Sequence, residues 1–447
     1  MLWNLSKRFQ FAADRIIPES FVFCIILTLV AFVLGLFTSG GQVIALVDGW
    51  YSGLWSMITL AFQMSFMVIT CGAAARAPAT AKILSKVSSI PKGPIAAYTV
   101  LLVFGVVSSI INWAFSTILT PILAMYLSKN VKGLHFPLMV AAGYSMMVLG
   151  QCIAPVASIY ALTATPGHFL EGKIGIITQD VSVYNPVNVI TFFATLIIIW
   201  LVTISLRPPQ NELVSYDGEI AQNKPPVQDE IESTPAEAMN SSRILMYVIG
   251  LTGLVIIVRS FMARGFMGSL NFNFVIFLFM TLNCFLYSTP SKFLNAYRGS
   301  MTSATEVMIQ FPFYGGIMGM MTASGLDRAI SNMIVEAGSR DMLYTFSFLS
   351  AALLNLFIPS QGGQWIVQGP ILVDAAERLG AYVPYVMNAF LHGDEVTNLI
   401  QPLYLIPALA VVGMKLKHAW GICAFLSVFW LVSMSIAFYV LPLMFPM

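Results

Sequence analysis

Two apolar stretches of this chain are each interrupted near the middle by a short run of polar residues. The first interruption lies at 108–117 and the second at 353–364. A polar break at membrane depth is tolerated only where it lines a cavity or is buried in protein. Two such breaks, in corresponding places of two halves, are the typical position of a substrate site in secondary transporters. They constrain the fold more than any other feature of the sequence.

The composition assigns the chain to the membrane proteins. Of its 447 residues, 58% are hydrophobic and 9% are charged, whereas about a quarter of residues are charged in soluble domains. A formal net charge of +2 without a basic tract gives no indication of nucleic-acid binding. The sequence has no H-E-x-x-H, G-x-S-x-G or Walker A pattern, and its four histidines are far apart. It therefore predicts neither an enzyme, nor a cofactor, nor an ATP-driven pump.

The apolar stretches predict an all-α polytopic membrane protein with about nine transmembrane helices, because one crossing needs about 20 residues. The interrupted stretches, 95–127 and 343–373, are interpreted as re-entrant hairpins that enter and leave on one side. With a cytoplasmic N-terminus, this topology places 16 of the 22 Lys and Arg on the inner side, as the positive-inside rule requires. The predicted spans are 20–37, 50–75, 136–162, 187–206, 244–261, 273–287, 301–321, 383–412 and 419–444.

The two halves resemble each other in the order of their features. Asn112 precedes Gly150 by 38 residues, and Asn355 precedes Gly393 by the same number, so both pairs share an offset of 243. Five crossings separate equivalent helices, which makes their directions opposite and predicts an inverted repeat. Because the identities are few, chance similarity between apolar helices is the alternative. The predicted units are a membrane repeat at 1–206, a cytoplasmic linker at 207–243 and a second membrane repeat at 244–447.

Polar residues at the two hairpin tips are the predicted substrate-binding groups. The N-terminal ends of short helices at such tips carry partial positive charge and favour anions, and glycines there permit a close approach of the backbone. The alternative is that Asn, Ser and Thr only hold the helices together. The candidate substrate-binding residues are Asn112, Ser116, Thr117, Asn355, Ser360, Gln361, Gly362, Gly363, Thr397 and Asn398.

A second polar cluster lies in the middle of the predicted span 383–412. Its members His392, Asp394 and Glu395 are candidate ion-coupling residues, because ionisable groups at this depth are costly unless they are paired or hydrated. Adjacent residues of a helix point about 100° apart, so the two carboxylates are expected to have different roles. The alternative is that a carboxylate caps a broken helix.

No Lys or Arg lies at mid-depth in any predicted span. A substrate anion beside the carboxylates would therefore need a co-bound Na⁺ or a proton, and the sequence does not choose between them. A Na⁺ ion near Asn112, Asn355 and Asp394 is the one candidate metal.

These motifs resemble the bacterial short-chain fatty acid transporters of the AtoE type, and the resemblance covers nearly the whole chain. That family is placed in a larger ion-transporter group built from inverted repeats with paired re-entrant hairpins. Its relatives carry Ser-Asn-Thr hairpin tips for Na⁺ and carboxylate. Here the tips read Asn-x-x-x-Ser-Thr and Asn-x-x-x-x-Ser-Gln. Because of this departure, the resemblance does not establish those Na⁺ sites in this chain. The segments that carry the resemblance are IPESFVF (17–23), INWAFST (111–117), NLFIPSQGGQW (355–365) and GDEVTN (393–398).

The resemblance implies a secondary active transporter of the bacterial inner membrane that imports short monocarboxylates, such as acetoacetate or butyrate, with H⁺ or Na⁺. It also implies a homodimer in contact with membrane lipid, in which the substrate-carrying parts move against a dimeric scaffold. One alternative is a Na⁺-coupled carrier of dicarboxylates or amino acids from the same group. Another is a passive anion channel. Chain-length preference, coupling ion and stoichiometry stay open.

Overall fold

The computed structural model of the chain shows helices joined by turns and short connections, without β-strands, in the residues that it describes. Those residues are 20–56, 58–111, 113–155, 157–164, 170–216, 234–269, 272–326, 329, 339–356 and 361–447. The first half contains α1 (Ser20–Thr38), α2 (Val43–Ser56), α3 (Ile58–Ala75), α4 (Pro78–Ser88), α5 (Pro94–Ile111), α6 (Trp113–Asn130), α7 (Phe136–Gly150), α8 (Ser158–Thr163), α9 (Glu171–Ile174), α10 (Gln179–Ser182) and α11 (Pro186–Ser205). The second half contains α12 (Pro235–Asn240), α13 (Arg243–Ser269), α14 (Phe272–Tyr287), α15 (Pro290–Met301), α16 (Thr305–Ser324), α17 (Arg340–Asn355), α18 (Gln361–Leu379), α19 (Val383–Asn398), α20 (Pro402–Ala410) and α21 (Leu416–Met444).

The long apolar helices confirm an all-α polytopic membrane protein. Six stretches of the described residues are long and apolar enough to cross a bilayer: Val43–Ala75, Pro94–Ile111, Phe136–Tyr160, Pro186–Ser205, Pro235–Gly265 and Leu416–Met444. The stretch predicted at 50–75 begins earlier, at Val43, because apolar residues of helical propensity precede Trp50. The total number of crossings stays a prediction.

Each interrupted stretch forms an antiparallel pair of helices. In the first pair, α5 and α6, the Ser116 hydroxyl donates to the Gly105 carbonyl at 3.0 Å. A continuous helix would separate residues eleven positions apart by about 16 Å, so the chain reverses between α5 and α6. In the second pair, α17 and α18, the Gln368 amide donates to the Ser350 hydroxyl at 2.7 Å. Both interruptions therefore lie at the tips of helical hairpins.

The first arm of each hairpin runs parallel to the helix that follows the hairpin. Along α5 and α7, Tyr98 lies beside His135, and Ser109 donates to the Met147 carbonyl at 2.6 Å. Along α17 and α19, the Tyr344 hydroxyl accepts from the Tyr382 amide just before α19, and Asn355 donates to the hydroxyl of Thr397 near its end. The two hairpins thus pack in the same manner.

The two hairpins nevertheless point in opposite directions, and α11 provides the reference for this comparison. The start of α11 lies beside α19, where Asn185 donates to the Asn388 side chain at 2.7 Å. Farther along, Thr191 lies beside His392, so α11 and α19 are parallel. The far end of α11 meets the start of α5, where Trp200 donates to Thr99 at 2.9 Å. Because α11 is antiparallel to α5 and parallel to α19, the first arms α5 and α17 run in opposite directions.

The hydrophobic residues form two clusters, which define two bodies. The glycine-packed body contains α1, α2, α3, α14 and α16, and the hairpin body contains the hairpins with α7, α11 and α19–α21. In the glycine-packed body, α2 and α16 approach very closely, since a Cβ at Gly49 would lie 2.8 Å from the Gly319 carbonyl oxygen. Trp113, Phe115 and Tyr404 pack against both clusters, which places the first hairpin tip at the boundary between the bodies.

One glycine in each half lets a helix approach the neighbouring hairpin. A Cβ at Gly150 would lie 3.1 Å from the Val106 carbonyl oxygen and 2.8 Å from the Ser109 Cβ. A Cβ at Gly393 would collide with the Phe348 carbonyl oxygen and lie 2.9 Å from the Ala351 Cβ. Only glycine permits such a backbone approach. The backbone of α19 is thereby held directly against the second hairpin.

The first residues of the linker predicted at 207–243 make defined contacts with the first half of the chain. Residues 207–216, which we name the linker strap, fold back against the ends of α6 and α7. The Val214 amide donates to His135 Nδ1 at 3.1 Å, and the Phe136 amide donates to the Val214 carbonyl at 2.7 Å. The Tyr216 ring lies 4.8 Å from the Phe136 ring and under the Lys129 ammonium group. Apolar side chains within a polar stretch thus give this part of the linker a fixed position.

The close contact at Gly393 leads to a first prediction. Gly393→Ala should lower the free energy of unfolding by about 1–3 kcal/mol, because the added methyl group overpacks the contact with α17. Thermal unfolding of the detergent-purified protein would measure the change. Gly299→Ala is the matched control, since a Cβ there would have no neighbour within 4 Å. Equal melting temperatures for the two variants would contradict the close packing of α19.

The strap leads to a prediction about pH. Burial lowers the pKa of His135 from 6.5 to about 4, although the nearby Glu212 opposes this shift. The folded strap therefore needs a neutral His135, so its stabilisation is complete above about pH 6.5 and is lost as the pH falls towards 4. Hydrogen exchange of the Val214 amide should accelerate at pH 5 relative to pH 7.5 by more than the intrinsic pH effect. In His135→Gln, whose amide oxygen accepts without titrating, that excess should disappear.

Candidate functional site

The site is built around the place where α19 ends and α20 begins. Pro402 cannot continue a helix because it lacks a backbone N–H group, and α19 ends at Asn398. The helix therefore presents its last polar turn inside the protein rather than at a surface. Asp394 is fully buried, and Glu395 is 5% exposed. This turn lies beside the tip of the second hairpin.

One amide group joins the two carboxylates. The Asn398 side-chain nitrogen donates to Asp394 Oδ2 at 3.2 Å and to Glu395 Oε2 at 3.1 Å. The Asp394 Oδ1 atom is buried and has no hydrogen-bond partner among the described residues. The two carboxylates share a donor, although adjacent helical residues normally point apart. We name Asp394 and Glu395 the amide-bridged pair, and Asn398 is its bridge.

Asn355 fastens the end of the first arm of the second hairpin to the same turn. Its side-chain nitrogen lies 2.7 Å from the Asp394 carbonyl oxygen, 2.7 Å from Asn398 Oδ1 and 3.0 Å from the Thr397 hydroxyl. An amide has two N–H groups, so three acceptors more than satisfy it. Its own oxygen, Oδ1, is buried without a partner in the described part of the chain.

Gln361 connects the second hairpin to both halves. Its nitrogen donates to Glu395 Oε1 at 3.2 Å, while its oxygen accepts from the Ile159 backbone amide of α8 at 3.0 Å. Gly362 lies next to it, beside Ser158 of the first half. Gly363 continues the first turn of α18. Glu395 therefore contacts the hairpin through Gln361, whereas Asp394 keeps one oxygen without a hydrogen-bond partner in the described residues.

The polar residues of the first hairpin bind mainly to one another. Ser116 lies 2.7 Å from the Ser108 hydroxyl and 3.2 Å from that of Thr120. Thr117 donates to the Trp113 carbonyl at 2.8 Å. In this conformation Ser116 holds the two arms of the hairpin together, whereas the Thr117 hydroxyl is bound within α6. Asn112 and Ser360 lie outside the described residues.

His392 lies on a different face of α19 from the amide-bridged pair. Its ring contacts Trp430 and Phe438, with centroid distances of 5.9 and 5.4 Å, and its Nε2 atom is 3.5 Å from the Thr191 hydroxyl. No hydrogen bond between His392 and either carboxylate is present in the described part. His392 therefore belongs to the packing between α11, α19 and α21.

The amide-bridged pair has no cationic partner among the residues that the structure describes. Ion pairs present there join Asp374 of α18 to Lys173 of α9 and to Arg378 of the same helix, and neither includes Asp394 or Glu395. The described residues also contain no group of three His, Cys, Asp or Glu that could hold a metal. Na⁺ is bound by oxygen atoms rather than by His or Cys side chains. Within the described residues, buried oxygen acceptors without hydrogen-bond partners occur on Asp394, Asn355 and Gln401. Gln401 directly precedes α20 and donates to the Leu356 carbonyl at 3.3 Å.

A neighbouring amide network was not predicted from the sequence. Asn388 donates to the Tyr160 hydroxyl at 2.9 Å and accepts from Asn185, while Asn188 donates to the Cys152 carbonyl at 2.9 Å. These residues connect α8, α11 and α19 close to the carboxylates. A buried Asn six residues before Asp394, on the same apolar helix, was the available signal. Its partners are over 200 residues away in sequence, which no local pattern reveals.

Removal of the bridge tests the geometry of the pair. Asn398→Leu keeps the approximate volume but leaves both carboxylates without their shared donor, at a cost of about 1–3 kcal/mol in the free energy of unfolding. Uptake of substrate should also fall at least about tenfold, a value that corresponds to 1.4 kcal/mol. Thermal unfolding and vesicle uptake would measure both effects. Asn295→Leu, at an exposed position of α15, is the control, and unaltered behaviour of Asn398→Leu would contradict the bridge.

Comparison with known proteins gives matches over nearly the full length of the chain. A family model described as "Short chain fatty acid transporter" matches residues 1–441. A protein of Escherichia coli K12 named "Putative short-chain fatty acid transporter" is 29% identical over 426 residues, which cover 95% of this chain and 96% of that protein. A protein of Haemophilus influenzae with the same name is 28% identical over 433 residues, with the same coverage.

A solved structure supports the fold. The YdaH transporter of Alcanivorax borkumensis, whose crystal structure is described as having an unusual topology, is similar with a TM-score of 0.50 and 14% sequence identity. The similarity covers 94% of this chain and 98% of the YdaH chain. At this identity the likeness concerns the fold alone. The family match over 1–441, with its two relatives, is sufficient for the assignment: the chain belongs to the short-chain fatty acid transporter family.

Proposed function

We propose that the protein is a secondary active transporter that imports short-chain fatty acid anions, such as acetoacetate and butyrate, together with H⁺ or Na⁺. We place it in the bacterial inner membrane with the N-terminus in the cytoplasm. The observation that carries this proposal is the amide-bridged pair, Asp394 and Glu395, buried where the second hairpin meets the first half. Membership of the transporter family supports transport itself.

Charge balance at the pair supports coupling to a cation. Two unit charges 4 Å apart interact by about 4 kcal/mol near a protein surface, and by more where the site is drier. A substrate carboxylate beside Asp394 and Glu395 would add a further negative charge, and described basic residues make no ion pair with the two carboxylates. A proton or Na⁺ bound together with the substrate removes this repulsion. Movement of the anion and movement of the cation are thereby linked.

The two ions would use different atoms of the site. A proton would reside on the pair itself, where the Asn398 amide binds one oxygen of each carboxylate. Na⁺ would instead use the buried acceptors Asp394 Oδ1 and Asn355 Oδ1, which lack partners in the described residues. The unpartnered oxygens favour Na⁺, whereas two adjacent carboxylates that share a donor favour a proton.

Opposite hairpin directions support an inverted repeat and alternating access. The close contacts at Gly150 and Gly393, which share the offset of 243 with the hairpin asparagines, are equivalent in the two halves. Each hairpin would then serve one side of the membrane as a re-entrant element, with the substrate between the tips. We also infer a homodimer, held together through the glycine-packed body while the hairpin body moves.

Uptake by proteoliposomes tests the proposal. Labelled butyrate and acetoacetate would be offered with an inward Na⁺ gradient and an inward H⁺ gradient, imposed separately. Accumulation above equilibrium under one gradient supports a coupled carrier and identifies the ion. Downhill flux alone under both gradients would indicate a passive channel. Accumulation of a dicarboxylate or an amino acid, without butyrate uptake, would favour the Na⁺-coupled alternative.

Substitution of each carboxylate should separate their roles. Asp394→Asn should abolish accumulation against a gradient, since it removes the negative charge of the carboxylate whose Oδ1 atom has no partner in the described residues. Glu395→Gln should mainly reduce the maximal rate, because the Gln361 amide keeps an oxygen acceptor. Uptake with and without the driving gradient would distinguish the two effects. Asp48→Asn, an exposed carboxylate of α2, is the control. Equal and mild effects of both substitutions would contradict a coupling role for the pair.

A further inference from the structure

We infer that Trp113 and Tyr404 form an aromatic wall that limits the acyl-chain length of the substrate. The inference rests on the proposed function, since it concerns the specificity of the same site. Trp113 is the first residue of α6, at the tip of the first hairpin, and Tyr404 lies in the first turn of α20. Their ring centroids are 5.8 Å apart, with the ring planes tilted by 59°.

The position of Tyr404 connects the wall to the carboxylates. The helix α20 directly follows the turn that carries the amide-bridged pair, and Tyr404 lies within electrostatic range of Asp394 and Glu395. The backbone amide of Tyr404 donates to the Gln401 carbonyl, beside the side chain with an unpartnered oxygen. One ring of the wall thus belongs to the acidic side of the site.

The position of Trp113 connects the wall to the other half of the chain. Trp113 is adjacent in sequence to Asn112, and the first hairpin tip lies at the boundary between the two bodies. Trp113 and Tyr404 are both only partly buried, whereas Trp365 and Trp430, in the interior of the hairpin body, are fully buried. Two partly buried rings from opposite halves, beside a buried polar cluster, are suited to form a wall of a binding site.

The chemistry of a short monocarboxylate fits such a wall. Its charged end must be bound by neutral amide donors or by the co-bound cation, because the described basic residues form no ion pair with Asp394 or Glu395. Its apolar end then needs an apolar surface close by, and aromatic rings provide a large and rigid one. A rigid surface at a fixed distance from the charged end selects by length. A chain that extends beyond it must displace Trp113 or Tyr404.

Competition between fatty acids of different length tests the inference. Inhibition of labelled butyrate uptake would be measured in proteoliposomes for linear acids from two to eight carbons. In the unaltered protein, octanoate should inhibit much more weakly than butyrate. In Trp113→Ala, the ratio of the octanoate to the butyrate inhibition constant should fall at least about tenfold, since one methylene in an apolar pocket changes discrimination by that order. Tyr404→Leu should shift the ratio in the same direction.

The controls separate a wall from a structural role. Trp55→Ala removes an indole that is 57% exposed on α2, and should leave the ratio unchanged; it also reports any effect of octanoate on the vesicles. If Trp113→Ala does not fold, Trp113→Leu takes its place, and stabilisation against heat by butyrate and octanoate replaces uptake as the readout. An unchanged ratio in folded Trp113 and Tyr404 variants overturns the inference alone. Absence of butyrate uptake by the unaltered protein overturns the proposed function instead.

Discussion

Two adjacent carboxylates, buried without a cationic partner among the described residues, impose the main physical constraint on this structure. The Asn398 amide supplies a donor to both, and Gln361 supplies another to Glu395. These neutral groups require the end of α19 and the beginning of α18 to meet within hydrogen-bonding distance. The Gly393 contact makes this approach possible, since any larger residue would hold α19 away from α17. The packing of α17, α18 and α19 thus brings neutral donors to two buried acids.

Much of the helical framework could be predicted from hydrophobic patterns. The hairpin predicted at 95–127 corresponds to α5 and α6, and the one at 343–373 lies within α17 and α18. Polar interruptions of apolar stretches predicted the hairpin tips, because apolar surroundings leave the chain few ways to satisfy the hydrogen-bonding groups of these residues. The start of the linker was not predicted, since Val214 and Tyr216 gain their position only from His135 and Phe136, which are distant in sequence.

The sequence indicated candidate residues for the site, but it did not indicate which of them contact one another. The pattern indicated Asn355 and Asn398, yet their mutual hydrogen bond at 2.7 Å depends on how α17 lies against α19. The pattern likewise gave no sign that Gln361 would bind the backbone of Ile159 in the other half. Ser116 and Thr117 show the reverse case, because their hydroxyls are satisfied within their own hairpin. Residue type predicts the capacity to bind, whereas packing decides which partner is bound.

The asymmetry between the halves has an electrical consequence. Gln151 and Cys152 occupy the positions that correspond to Asp394 and Glu395 at the offset of 243, so carboxylates are present at these positions in the second half only. Any displacement of α19 along the membrane normal carries those groups through the transmembrane field. Each elementary charge moved in this way changes the energy by about 2.3 kcal/mol per 100 mV. In the proposed mechanism, occupancy of the amide-bridged pair by a cation would determine whether the loaded or the empty protein responds to voltage.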